Sequence, residues 1–446
     1  MDFHVISICA VAAAALVAVR SPAAADTPAK AEAPTLQPLL CGYNPDPSIC
    51  RDGDDYYLVT SSFSLHPGLP IYHSRDLRNW ETIGHAWRET WPCRTDDRGI
   101  FAATIRRHKG LFYISVTWVD GFAPQVSYIL TAEDPRGPWS KPVEISAKKG
   151  IDASLFFDGD DVWYLANRGV EKPLWKGHAQ IWMQRIDVST GRLFGDVHVL
   201  SDGFGEAPPW AEGPHLYKIG GKYVLLFAQG GTHFGHEEIA LVSDCVTGPY
   251  SARGGNPVVT AKDWGPKSPL QSFGHADIVD TPDGKWYGVF LGHRMLSAGD
   301  GVFCPLGRET FMCPVEWENG VSPMFRRDAC IAGSWRDPSE TWYSLLTHPE
   351  WNARLKKVKS HRESFSTELK PAEAIVIYRS DKGYYARTNK TDRVVSASVA
   401  LDGLNVTFEL DGIKEGPLPA APLCDQPAHN RYNGLMVGTF GPTESK

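Results

Sequence analysis

The sequence predicts an all-β protein built on a five-bladed β-propeller. Three observations carry that expectation. The chain has 42 Gly and 33 Pro among 446 residues, above the roughly 12% that average proteins devote to these two types. It has 15 Trp, 16 Tyr and 19 Phe beside only 6 Met. Five segments repeat the same pattern, a tight turn followed by an aromatic-led apolar strand. Inside a helix Gly costs about 1 kcal/mol and Pro about 3, so long helices and coiled coils are excluded. A 42% hydrophobic content supplies a substantial core and argues against disorder.

At the N-terminus, the apolar run Val5 to Val19 is followed by Ser21-Pro22-Ala23-Ala24-Ala25. That run is shorter than the ~20 residues of a membrane span. Its small-residue end, with Ala23 and Ala25 in an A-x-A pattern, reads as a secretory signal over residues 1–25. Export to the outside or the periplasm is the corresponding expectation. Residues 26–40, rich in Ala, Pro and Thr, read as a flexible lead-in. The formal charge is −7, which argues against nucleic-acid binding, where a basic stripe is expected. Nine cysteines occur without any C-x-x-C pair, so a structural zinc site has no support. They read as buried or occasionally bridged thiols, and the sequence sets no connectivity.

The repeat occupies residues 41–325. Its copies are Asp52-Gly53-Asp54-Asp55-Tyr56-Tyr57-Leu58, Lys109-Gly110-Leu111-Phe112-Tyr113-Ile114 and Asp158-Gly159-Asp160-Asp161-Val162-Trp163-Tyr164-Leu165. Gly220-Gly221-Lys222-Tyr223-Val224-Leu225 and Asp283-Gly284-Lys285-Trp286-Tyr287 complete the set. Gly supplies the positive φ that tight hairpins need. The first aromatics fall at positions 56, 112, 163, 223 and 286. Further strand-like runs, such as 71–80 and 181–187, bring each copy towards four strands. Five repeats of four strands describe a propeller around a central channel.

The innermost strand of each blade lines that channel, so residues at one offset before each hairpin face a common space. Counting back ten or eleven positions from the first aromatic gives Asp46, Asp152, Glu212 and His275, and in the second blade Phe101 or Ala102. A single Asp beside Pro or Gly is ordinarily a turn residue. Four ionisable groups at equivalent positions in separate repeats point instead to one shared catalytic site. Crowded carboxylates raise at least one pKa, which separates acid from base. Such a set suits glycoside hydrolysis, where one carboxylic acid protonates the leaving oxygen and one carboxylate activates water.

At these residues the chain resembles glycoside hydrolase family 43, the β-xylosidase and α-L-arabinofuranosidase group. The likeness rests on Asn44-Pro45-Asp46-Pro47-Ser48-Ile49, Ser61-Ser62-Phe63 and Pro70-Ile71-Tyr72-His73-Ser74-Arg75-Asp76-Leu77. It continues in Glu212-Gly213-Pro214-His215-Leu216-Tyr217, Gly274-His275-Ala276-Asp277 and Leu306-Gly307-Arg308-Glu309-Thr310. The resemblance implies an inverting, exo-acting hydrolase that releases terminal xylose or arabinofuranose from plant cell-wall oligosaccharides. It implies Asp46 as general base, Glu212 as general acid and Asp152 as pKa modulator. His275 would stand near the channel centre, where some relatives place a calcium ion or a water cluster; no cofactor is otherwise required. Arg294 would hold a sugar hydroxyl or steady a carboxylate, and Phe63 and Phe101 would wall the sugar pocket. Ala153 and Ala103 stand where the family usually has Pro, which predicts a looser turn at Asp152.

The remainder, residues 326–446, resembles a shortened form of the β-sandwich appended in the xylosidase branch. The likeness lies in residues 374–385 and 433–440. Two alternatives stay open at this point, an endo-arabinanase and a non-catalytic carbohydrate-binding propeller. The pair His233 and His236, beside Gly-Gly-Thr, reads as a polar loop rather than a metal site.

Overall fold

Each of the five repeat copies forms the first hairpin of a four-stranded antiparallel sheet. The structure, a computed structural model, describes residues 36–333 except 43, 64–67, 88–97, 121–124, 148–149, 299–300 and 304–306, together with strands between 375 and 437. Blade one comprises Ser48–Asp52, Asp55–Val59, Gly68–Ser74 and Glu81–Trp87. Blade two comprises Arg98–His108, Leu111–Asp120, Gln125–Ala132 and Val143–Glu144. Blade three comprises Ser154–Asp158, Asp161–Gly169, Ala179–Asp187 and Arg192–Ser201. Blade four comprises Glu212–Ile219, Lys222–Gln229, Glu237–Ser243 and Val259–Thr260. Blade five comprises Leu270–Asp280, Trp286–Arg294, Arg308–Glu318 and Ser322–Phe325, with the ribbon Leu296–Ala298 and Gly301–Phe303 inserted after its second strand. The first strands neighbour one another in ring order. The hairpin glycines take the predicted conformation, with φ of 62° at Gly53, 88° at Gly110, 66° at Gly159 and 79° at Gly284.

Blades packed on both faces need strands that are apolar on both sides, and Lys222–Gln229 is buried at its last six positions. The described core accordingly divides into wedges, one in each seam. Val59, Ile71, Ile105 and Ile114 fill the seam of blades one and two. Ile129, Leu155 and Tyr164 fill the next, and Leu165, Met183, Leu225 and Ile239 the third. Phe273, Phe290 and Phe311 pack with Leu226 between blades four and five. Truncating one such ring costs about 3–5 kcal/mol.

The fifth seam, between blades five and one, is closed by the segment preceding blade one. Leu39 and Leu40 are fully buried there beside Ile49, Leu58, Val289 and Met312. The backbone N–H groups of Leu39 and Leu40 both donate to the Thr310 carbonyl, at 2.8 and 3.1 Å. Residues 36–40, the end of the flexible lead-in expected over 26–40, are thus packed, and 26–35 lie outside the described residues. Leu39 and Leu40 supply the apolar surface that seals the ring, and Leu36 joins the core between blades four and five. The strand run expected over 71–80 ends at Ser74, and Asp76 then caps a turn by accepting from the Arg78 and Asn79 N–H groups.

Below the candidate site, the innermost strands meet in a buried polar hub. Arg106 of blade two makes a two-pronged pair with Asp277 of blade five, at 2.7 and 3.1 Å. The same carboxylate accepts from Ser48 Oγ and Ile49 N–H of blade one and from Tyr217 of blade four. Arg106 also donates to His215 Nδ1 at 3.0 Å, so His215 is neutral with its proton on Nε2. Burial pushes the His215 imidazole down to about 3, against the pull of Asp277.

Further along the chain, six strands pair antiparallel in sequence order from Ile375–Ser380 to Gly434–Val437, and these two pair to close the ring. Residues 1–25, read as a signal, lie outside the described residues. Cys41 is buried, Cys50 and Cys313 are buried free thiols, and Cys245 is exposed, against expectation, in the turn after Glu237–Ser243. Cys9, Cys93, Cys304 and Cys424 lie outside the described residues. Among the described residues no helix is long and apolar enough to cross a membrane.

Candidate active site

The four residues picked out by the offset converge because the same local conformation recurs where each blade begins. Asp46, Asp152 and His275 have φ of 51°, 61° and 53°, and Gly213, next to Glu212, has 60°. Non-glycine residues held in this left-handed region cost about 1–3 kcal/mol each and cluster at functional sites. Here the conformation turns the chain sharply as it joins the innermost strand and leaves the side chains around one space.

Asp46 is buried, and its two oxygens are engaged separately. Arg308 Nη1 donates to Oδ1 at 2.6 Å, and Ser61 Oγ donates to Oδ2. His275 Nδ1 lies 3.9 Å from Oδ1. Burial alone would raise the Asp46 carboxyl. The charge of Arg308, helped by His275 and the Ser61 hydrogen bond, outweighs it and holds the group below the usual Asp value. Asp46 reaches Arg308 because the ring-closing segment runs along the third strand of blade five. Asn44 N–H donates to the Arg308 carbonyl at 2.9 Å, and Thr310 Oγ1 donates to the Asn44 carbonyl at 2.7 Å. Closure of the ring and placement of Asp46 are therefore one structure.

Glu212 opens the innermost strand of blade four and is partly exposed, unlike Asp46 and Asp152. Burial of its carboxyl, followed by the nearby charges of Asp152 and Asp46, pushes it well above the usual Glu value. Asp152 accepts the Gly213 N–H at 2.9 Å. Its carboxyl is also raised, by burial and then Asp46, but His275 and the Gly213 hydrogen bond oppose the rise. Of these two acids, Glu212 is the more strongly raised. Ala153, at the turn expected to be looser, is fully buried and its carbonyl accepts from Ser115 Oγ at 2.8 Å. Gly213 is required twice, for its φ and because a Cβ there would lie 3.0 Å from the His275 ring.

Phe63 and Phe101 meet with ring centroids 4.9 Å apart, tilted by 55°. The Arg308 guanidinium lies over Phe63 at 4.9 Å, so the aromatic pair adjoins the Asp46 carboxylate. Arg294 steadies a carboxylate, that of Glu309, through two hydrogen bonds of 2.7 and 2.8 Å. Glu309 in turn accepts the Gly42 N–H at 2.7 Å, which ties Arg294 to the ring closure.

Three participants were not assigned a role from sequence. Arg308 stood inside the quoted Leu306–Thr310 motif, which was its only signal. His236, read as part of a polar loop, is fully buried and its Nδ1–H donates to the Ser272 carbonyl at 3.0 Å. Burial pushes its imidazole down to about 3. Glu238 is fully buried and accepts the Ala276 N–H at 2.9 Å, holding the His275 turn from behind. It pairs in register with Ala228, as Glu212 does, so the two acids share one row of blade four.

Among the described residues no three His, Cys, Asp or Glu side chains gather as a metal-ligand set. Asp46, the acid beside His275, is already committed to Arg308 and Ser61. These residues do not form a protein cage for calcium.

A sequence model described as Glycosyl hydrolases family 43 matches residues 35–322. The chain belongs to this family. Over 290 residues it is 42% identical to a xylosidase/arabinosidase of Butyrivibrio fibrisolvens, covering 64% of this chain and 55% of that protein. It is 38% identical over 315 residues to a non-reducing end alpha-L-arabinofuranosidase of Bacteroides ovatus, covering 68% and 56%. The chain thus spans just over half the length of these curated relatives. Among solved family 43 structures, one retrieved from a capybara gut metagenome aligns with a TM-score of 0.65 at 26% identity, covering 91% of this chain and 95% of that one. The Bacteroides ovatus xyloglucan-locus GH43B structure aligns with a TM-score of 0.63 at 27% identity, covering 90% and 94%.

Proposed function

We propose that this family 43 member is an inverting, exo-acting glycoside hydrolase. Its substrates would be xylan-derived oligosaccharides, from which it removes terminal xylose or arabinofuranose. The observation that carries the reading is the separation of two carboxyl groups in one site. Arg308 and Ser61 hold the Asp46 carboxyl below its usual value, while burial and its acidic neighbours hold that of Glu212 well above. Pushing two carboxyl pKa values apart assigns acid and base. The printed names of the relatives, xylosidase/arabinosidase and alpha-L-arabinofuranosidase, support the pentose.

In this reading Glu212 gives its proton to the glycosidic oxygen as the C–O bond breaks. Asp46 takes a proton from the water that attacks the anomeric carbon from the opposite face. The incoming proton on Asp46 and the outgoing one from Glu212 leave the pair to be reset through solvent. Asp152 keeps the Glu212 proton bound through charge repulsion. Phe63 and Phe101 wall the terminal sugar, His275 braces Asp46, and Arg294 holds the closure through Glu309. The calcium expectation narrows to an ion that would take one protein ligand, His275, and otherwise water. The strands between 375 and 437 belong, in the same proposal, to a shortened β-sandwich-like module over residues 326–446. Export, read from residues 5–25, completes it. A purely binding propeller has no use for a carboxyl held well above its usual value beside one held below.

The test compares wild type, Asp46→Ala and Glu212→Gln on the 4-nitrophenyl glycosides of xylose and arabinofuranose and on xylobiose. Asp46→Ala should abolish turnover of all three. Glu212→Gln should lose about 10²–10⁴-fold on xylobiose and less on the aryl glycosides, whose leaving groups need little protonation. Full activity in either variant refutes the assignment.

A further inference from the structure

We infer that Trp210 is the stacking platform for the leaving-group sugar, the residue on the far side of the bond that Glu212 protonates. This rests on the hydrolase reading above and adds a specificity-determining residue to it.

The placement follows from the strand order. In each blade the chain enters the innermost strand at the face where Asp46, Asp152 and Glu212 lie. Antiparallel alternation brings the loop between the second and third strands to that same face. Two such loops adjoin Trp210, residues 170–178 of blade three and residues 230–236 of blade four, and the connection 202–211 between those blades carries it into Glu212. Trp210 stands two positions before Glu212 and retains 39% exposure. A large aromatic left exposed at the rim of a site is unusual, because Trp is ordinarily well buried.

The ring is also held in place. Trp210 has φ of 53°, a costly conformation for a bulky residue. Its backbone N–H donates to the Gly177 carbonyl at 2.6 Å. A Cβ on Gly177 would lie 2.9 Å from the indole Nε1, and one on Gly231 would lie 3.0 Å from Cε3. Two loops therefore need glycine to accommodate this one ring, and His233 meets it edge-on with centroids 6.0 Å apart. The surrounding loops add exposed apolar groups, with Leu174 at 82% and Phe204 at 36% exposure. A strained backbone, a pinned ring and an exposed indole two positions before the proposed proton donor suit one class of ligand. The apolar C–H face of a pyranose stacks on an aromatic ring, and an oligosaccharide leaving group presents that face next to Glu212.

The experiment compares kcat/KM for xylobiose with kcat/KM for β-D-xylosyl fluoride, whose leaving group is too small to reach a stacking platform. An arabinofuranosyl xylo-oligosaccharide and α-L-arabinofuranosyl fluoride replace them if the wild type prefers that sugar. Trp210→Ala should lower the oligosaccharide-to-fluoride ratio roughly tenfold, and Trp210→Phe by less than about threefold. The concentration of folded enzyme cancels in the ratio, so a partly folded variant still reports. An unchanged ratio in Trp210→Ala, with an active wild type, overturns the platform and leaves the hydrolase reading intact. A wild type inactive on every one of these substrates overturns both.

Discussion

Replacing Arg106 with Met should strip the propeller of the charge that balances its central hub. Asp277 is fully buried, and Arg106 bridges it with contacts of 2.7 and 3.1 Å. Burial alone would raise the Asp277 carboxyl. The charge of Arg106, with the hydrogen bonds from Arg106 and Ser48, overcomes that and holds it well below the usual value. Removing one partner of a buried pair typically costs about 3–5 kcal/mol. At roughly 2–4 °C per kcal/mol for a domain of this size, Tm should fall by about 6–20 °C near neutral pH. The sign of the pH dependence follows from the depressed carboxyl. Its contribution is present above the unfolded Asp value of about 3.9 and is lost as pH falls through the folded value. The gap between wild type and variant should therefore narrow in acid. Adding Asp277→Asn to Arg106→Met removes the stranded charge but keeps a hydrogen-bonding side chain, so the double variant should melt above the single one. Thermal melts from pH 3 to 8 read all of this. An Arg106→Met melt within about 2 °C of wild type at neutral pH, or a double variant no better than the single, refutes the reasoning.

Two further changes probe the site itself. Arg308→Met removes the main cation that keeps Asp46 ionised, so the acid limb of kcat/KM should move to higher pH. An unmoved limb in a folded variant counts against that electrostatic role. Gly213→Ala places a methyl 3.0 Å from the His275 ring at a φ of 60°. It should cost about 1–3 kcal/mol of stability and lower kcat/KM about tenfold, as melts and initial rates would show; wild-type values in both would contradict the packing.

Much of the fold was legible because its signals are local. The five hairpins announce themselves through Gly turns and leading aromatics, and an offset of ten or eleven residues from them finds Asp46, Asp152, Glu212 and His275. What was not legible depends on contacts remote in sequence. Arg308 meets Asp46 across 262 residues, and only ring closure brings them together. Arg106 and Asp277 are charged residues within strands, which in isolation read as solvent-facing. His236 sits in a Gly-rich turn that looks exposed, yet the beginning of blade five covers it. Leu36, Leu39 and Leu40 were hidden in an Ala- and Pro-rich stretch whose composition suggested slack chain.

In the proposed mechanism Asp46 activates water on the face of the sugar opposite Glu212. Proton NMR of the first product formed from 4-nitrophenyl β-D-xyloside, or from the α-L-arabinofuranoside, tests it most directly. Inversion predicts that α-xylose, or β-arabinofuranose, appears first and then mutarotates. First appearance of the anomer matching the substrate would require a covalent intermediate and would contradict the assignment of Asp46 as a base.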